Sequence, residues 1–182
     1  MYKRQLFVVI QTIVTWPSGV DSLPPLKKGD IVFQTTQGPV SWVAFNATDS
    51  LYTHVGIVQE NEDGSFSVIE ATPPDVMVTP LDKWLKNGIL GRVSVYRYEG
   101  LTLSQQLRVV ASARAYLKRP YDYYFYKTKN AMYCSELVSL AYQEGIGERL
   151  GVEQPVRYMD YQSHAVQQYI NKVWKKHPIC DG

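Results

Sequence analysis

The chain is poor in the residues that usually announce site chemistry. Among 182 residues it has two cysteines, Cys134 and Cys180, and three histidines, His54, His164 and His177. Two cysteines exclude a disulfide framework and a multi-cysteine metal site, leaving one bridge or two free thiols. The histidines show no HxH or HxxxH spacing, which argues against zinc, so the chemistry is expected to need no metal and no cofactor. Charge of one sign is also scarce. Lys and Arg number 19 against 17 Asp and Glu, and no basic run is longer than a pair such as Lys27-Lys28, so nothing outlines a nucleic-acid footprint. The apolar stretch over residues 6–16 is interrupted by Gln11, Thr12 and Thr15 and falls short of the ~20 residues of a stable transmembrane span. Internal repeats and low-complexity tracts are lacking as well.

What is present describes one ordinary domain: 45% of the residues are apolar, enough for a single core without disulfides or metal. Residues 1–22 are set apart. Lys3-Arg4, the apolar residues Leu6 to Ile10, and a Val20-x-Ser22 cleavage pattern outline a signal peptide, hence a periplasmic or secreted protein. The alternative is an N-terminal strand or helix packed on the core of a cytoplasmic protein, which the β-branched residues Val8, Val9, Ile10, Ile13 and Val14 also suit. The remaining residues, 23–182, form the domain.

Its first half reads as strands. Ile31 to Phe33 follows a turn at Lys27 to Asp30, and Arg92 to Tyr98 alternates apolar and polar residues. Tyr52 to Val58 and Ser65 to Glu70, separated by Asn61-Glu62-Asp63-Gly64, make the clearest hairpin. Residues 34–50 read as a loop with one helical turn around Val40 to Phe45, and Pro80 to Leu85 as one or two helical turns closed by Asn87-Gly88. The second half changes period. Thr102 and Gln105 form a capping box for a helix whose expected inner stripe is Leu103, Leu107, Val110, Arg114 and Leu117, ending before Pro120. A second helix runs from Cys134 to a stop at Gly145, residues 147–160 read as loop, and a last helix covers Ser163 to Lys176 with Val166, Tyr169, Ile170 and Val173 inward. Sheet followed by helices predicts an α+β domain.

Cys134 stands at the mouth of its helix, where the first free N–H groups favour a thiolate and could hold an oxyanion. By itself it could equally be a small buried hydrophobe. A base is the missing part, and His54 lies in a strand on the face of Tyr52, Gly56 and Val58. In a hairpin centred on residue 62, Glu70 falls directly opposite His54, close enough to accept the imidazole N–H and set its tautomer. An even-length loop would turn the two to opposite faces. The segment Tyr121 to Tyr133 is rich in aromatics, including Tyr123, Tyr124 and Tyr126, and suits an apolar or flat substrate or the core equally well.

Tyr133-Cys134-Ser135-Glu136-Leu137-Val138 resembles the nucleophile helix of NlpC-type cysteine hydrolases, whose pattern is Asp-Cys-Ser-Gly-Leu-Val. The order of motifs, with Thr53-His54-Val55-Gly56 first, Val68-Ile69-Glu70-Ala71 next and Cys134 last, is similar to the permuted, YiiX-like (or YebB-like) branch of that superfamily. That branch is related more distantly to lecithin:retinol acyltransferases. The resemblance runs from about Lys28 to Glu144 and includes Gly29-Asp30-Ile31, Pro80 to Leu85 and Pro120-Tyr121-Asp122. It implies a circularly permuted papain-like fold, an antiparallel sheet or small barrel packed against helices. It implies Cys134 as nucleophile, His54 as base and then acid, Glu70 as the group orienting His54, and Tyr121 beside the oxyanion, with Tyr123 or Tyr124 as alternatives for that role. Tyr52, Tyr123, Tyr124 and Tyr133 are the candidate substrate-binding residues. Asp122 is expected to hold the loop, and His164, His177 and Cys180 to lie on the surface.

The expected activity is hydrolysis of an amide or ester through an acyl-enzyme, on a small-molecule, peptide or lipid-like substrate, in the cell envelope if residues 1–22 direct export. An acyltransferase using lipid or amine acceptors, and a catalytically silent ligand-binding module of the same fold, are the alternatives.

Overall fold

The computed structural model describes residues 8–10, 23–48, 50–125, 130–151 and 162–176. Six strands, β1 (Val8–Ile10), β2 (Ile31–Thr36), β3 (His54–Glu60), β4 (Phe66–Thr72), β5 (Asp75–Pro80) and β6 (Gly88–Arg97), form one sheet in the order β1-β6-β2-β3-β4-β5. Every pairing is antiparallel. The helices are α1 (Pro39–Thr48), α2 (Leu81–Lys86), α3 (Leu103–Arg114), α4 (Cys134–Ile146) and α5 (His164–Lys172), giving the expected α+β class. Of the N-terminal segment, Val8–Ile10 is described and pairs with β6; the proposed cleavage site, Tyr126, most of the 147–160 loop, His177 and Cys180 lie outside the described residues.

Both faces of β3 and β4 are buried, which is why these central strands are apolar at successive positions rather than at alternate ones. Ile31, Val55, Ile57, Ile69, Ala71 and Val76 pack with Val109 and Ala113 of α3 and Leu137, Val138 and Ala141 of α4. Val32, Val58, Val68, Val93 and Val95 pack on Leu81 and Trp84 of α2. A smaller cluster, Val43, Val166 and Tyr169, joins α1 to α5.

Several elements differ from the sequence reading. Helix α3 starts at the expected capping box on Thr102 and Gln105. Its buried residues, however, are Val109 and Ala113, while Leu103 and Leu107 are exposed. The cause is its close approach to α4: a Cβ placed on Gly145 would stand 2.8 Å from the Val109 Cα, so the two helices meet on the Val109 side of α3. Gly145 is therefore a packing glycine inside α4, and the stop is Gly147, at φ +77°. The 34–50 region holds a ten-residue helix, α1, rather than one turn. Strand β5 had no counterpart in the sequence reading; it follows Pro73-Pro74 and pairs along β4 from Thr72 to Ser67.

Candidate active site

His54 opens β3, Glu70 lies in β4, and Cys134 is the first residue of α4. The hairpin register differs from the one expected. Glu60 faces Phe66 and Val58 faces Val68, so the loop is Asn61–Ser65, centred on residue 63, and Glu70 falls opposite Gly56 rather than His54. Side chains draw the loop one residue onward. The Asn61 amide donates to Ser65 Oγ at 2.8 Å and Ser67 Oγ at 2.9 Å, Asp63 Oδ1 accepts from the Ser65 N–H at 2.9 Å, and Gly64 takes φ +80°. Parity is preserved, so His54 and Glu70 still share a face, as diagonal neighbours.

Gly56 makes that diagonal usable. A Cβ there would meet Val68 Cγ1 at 2.3 Å, the Ile69 carbonyl oxygen at 3.0 Å and Glu70 Cβ at 3.4 Å, so any side chain would crowd the space His54 crosses to reach Glu70. His54 Nε2 is hydrogen-bonded to Glu70 Oε2. Two further donors, which sequence reasoning missed, fix the carboxylate: Trp84 Nε1 reaches Oε2 at 3.1 Å from α2, and Thr79 Oγ1 reaches Oε1 at 2.5 Å from β5. The His54 and Trp84 rings lie 6.5 Å apart.

Nε2 is committed to Glu70, and the Cys134 side chain acts on the same ring. Burial pulls the His54 pKa down, but the hydrogen bonds to Cys134 and Glu70 and their charges outweigh it and push it up to about 10. The site therefore favours an imidazolium flanked by a carboxylate and a sulfur. Tyr133, the N-cap of α4, has an extended backbone and makes no side-chain cap, so it does not take the first-turn N–H groups beside the sulfur.

Tyr121 is buried beside this group. Met132 N–H donates to the Pro120 carbonyl at 2.9 Å and Asp122 N–H to the Met132 carbonyl at 3.0 Å, lacing Tyr121 alongside the strand leading into α4. Burial first, then the charges of Cys134, Tyr169, Asp122 and Tyr123, hold its phenol well above the ordinary tyrosine value. It is a hydrogen-bond donor at every working pH. Asp122 accepts the Tyr124 N–H at 2.8 Å, which shapes the loop.

The four other tyrosines divide. Tyr123 is 39% exposed and stacks edge-on against Tyr121 at 5.2 Å. Tyr133 meets Phe125 at 5.5 Å, and Tyr124 is half-buried beside them. Tyr52 corrects the expectation that it shares the face of His54. Its hydroxyl bonds Ser94 and its ring lies 6.0 Å from Phe33, residues of the opposite face, because β3 begins only at His54 and alternation does not extend back to position 52. His164 is exposed, as expected.

A family model described as "Permuted papain-like amidase enzyme, YaeF/YiiX, C92 family" matches residues 25–179. The "Uncharacterized protein YiiX" of Escherichia coli (strain K12) is 35% identical over 149 residues, covering 81% of this chain and 73% of the relative. A crystal structure titled "metalloprotein yiiX from Escherichia coli O157:H7" superposes with a TM-score of 0.77 at 34% identity, covering 83% of each chain.

Proposed function

Because this chain belongs to the C92 family of permuted papain-like amidases, the YaeF/YiiX type, we propose that it is a cysteine hydrolase that cleaves an amide or ester carbonyl through a thioester on Cys134. The observation that carries this is the bridging position of His54, bonded to Glu70 on one side and to Cys134 on the other. In the proposed cycle the thiolate attacks the carbonyl carbon, and the resulting oxyanion is held by the backbone N–H of Cys134 and the hydroxyl of Tyr121. His54 gives its proton to the departing amine or alkoxide as the carbon–nitrogen or carbon–oxygen bond breaks. Neutral His54 then takes a proton from water, hydroxide attacks the thioester, the carbon–sulfur bond breaks, and the acid leaves with thiolate and imidazolium restored. Tyr123, Tyr124 and Tyr133 border the site with apolar surface, which favours an uncharged group next to the scissile bond. The signal-like pattern of residues 1–22 favours an envelope substrate.

The Escherichia coli structure's title calls that protein a metalloprotein. Among the described residues of this chain no three His, Cys, Asp or Glu side chains are grouped to hold a metal ion. Cys134, His54 and Glu70 come nearest in type, but the Glu70 oxygens are taken by His54, Trp84 and Thr79. The described residues do not fit a metal, and no step is assigned to one.

The test is p-nitrophenyl acetate, an ester whose leaving group needs no proton. A burst of one p-nitrophenolate per chain, with an acetyl group located on Cys134 by mass spectrometry and no burst from Cys134→Ala, is the expected result. A wild-type chain that gains no acetyl group on Cys134 would contradict the proposal.

A further inference from the structure

The tyrosine loop over residues 121–125 is anchored at its start, where Tyr121 N–H donates to the Pro74 carbonyl at 2.9 Å and Asp122 pairs with Met132. Further along, Phe125 adopts φ +55°, a left-handed conformation that a bulky side chain resists and that surrounding contacts must hold. Those contacts come from α5. Tyr169, 7% exposed, donates its hydroxyl to the Tyr123 carbonyl at 2.6 Å. Its ring faces Phe125 at 6.3 Å, and Phe125 in turn meets Tyr133, the residue before Cys134. Helix α5 packs not on the main core but on α1, in the separate Val43, Val166 and Tyr169 cluster. A phenylalanine would fill the same space and keep the ring contact with Phe125; the hydroxyl adds the one hydrogen bond given between Tyr169 and the loop backbone.

We infer that Tyr169 is a positioning residue for the oxyanion site: through the Tyr123 carbonyl it holds the 121–125 loop so that the Tyr121 hydroxyl meets the oxygen of an acyl group on Cys134. This deepens the proposed function and rests on its assignment of Tyr121. Burial, followed by the charges of Tyr123, Asp122 and Tyr124, raises the Tyr169 pKa above the ordinary tyrosine value, so its hydroxyl keeps the proton it donates.

Two probes separate this role from mere packing. Acylation by p-nitrophenyl acetate forms an oxyanion at the carbonyl. Alkylation by iodoacetamide displaces iodide at a saturated carbon and forms none, so it reports only the thiolate and His54. Tyr121→Phe is expected to slow acylation about 10²-fold, as loss of one oxyanion donor does, while alkylation changes by less than about twofold. Tyr169→Phe is expected to slow acylation about tenfold with alkylation likewise unchanged, because a small displacement of the donor weakens only the step that uses it. In Tyr121→Phe/Tyr169→Phe the second change should add nothing to the first. The inference is overturned if Tyr169→Phe acylates at the wild-type rate, slows both reactions alike, or multiplies with Tyr121→Phe. If Tyr121→Phe itself acylates normally while Cys134 still forms its thioester, the oxyanion assignment of Tyr121 fails and the nucleophile stands. If wild type forms no thioester, the hydrolase reading itself has failed.

Discussion

Alanine at position 54 is expected to lower turnover of an amide or unactivated ester by about 10²- to 10⁴-fold, the range associated with loss of a positioned acid–base group. The magnitude follows from two tasks assigned to one ring. His54 stands between Glu70 and Cys134 with its pKa pushed up to about 10, so it favours the cation across the neutral range, and in the proposed cycle that cation stabilises the attacking sulfur. In the proposed cycle the same proton is then transferred to the leaving group. p-Nitrophenyl acetate dispenses with that transfer, so His54→Ala should slow its acylation of Cys134 much less than it slows a substrate with a poor leaving group. Comparing kcat/KM for the variant on a p-nitrophenyl and an alkyl ester of one acid measures this difference. Equal losses on both esters would show that His54 does not deliver a proton.

The second large effect belongs to Glu70→Gln, and it is a shift in pH rather than a uniform loss. Burial lowers the His54 pKa, whereas Cys134 and Glu70 raise it through hydrogen bonds and charge. Glutamine keeps the size of the side chain and removes the charge, so the balance moves toward burial and the imidazolium loses its proton at lower pH. The wild-type profile of kcat/KM should hold up to an alkaline limb near pH 10, and the variant's limb should move down by about one to three pH units, the span of a lost carboxylate neighbour. At pH 9 the variant then keeps at most about half of its plateau rate while wild type keeps most of its own, and acidification toward pH 6 restores the variant toward its plateau. Since thiol and imidazole titrate together, the limb reports the pair rather than either group alone. An alkaline limb that stays in place in Glu70→Gln would show that this carboxylate does not govern His54.

Much of the site was legible because strand alternation and helix capping are local rules. Period two put His54 and Glu70 on one face, and the change from polar loop to apolar helix put Cys134 at a helix start. The register was read two residues out because Asn61, Asp63 and Ser65 close the loop through their side chains, a choice that hydrophobic pattern does not encode. Facing is the same in both registers, but only the observed one gives the reason for Gly56. Long-range partners were the least legible. Trp84 reads as part of one or two helical turns and Tyr169 as an inward aromatic, and no spacing along the chain says that the first reaches Glu70 or the second the Tyr123 carbonyl. The inner stripe of α3 was misread for a related reason. Leu103 and Leu107 carry the larger apolar surface, yet the close approach at Gly145 selects Val109 and Ala113. Helix α1 was underestimated because its Thr, Asn, Val and Trp residues are poor helix formers, and its packing on α5 lies more than a hundred residues away in the chain.

The central claim is that His54 makes Cys134 a nucleophile, and the most direct measurement is iodoacetamide alkylation at pH 6.5, with Cys180 of the same chain as the reference thiol. An unassisted thiol of pKa ~8.5 is only about 1% thiolate at that pH. Cys134 is expected to react at least about tenfold faster than Cys180, the gain being tempered because a stabilised thiolate is also a weaker nucleophile, and His54→Ala is expected to remove the difference. Cys134 reacting no faster than Cys180, with no change in His54→Ala, would contradict that claim.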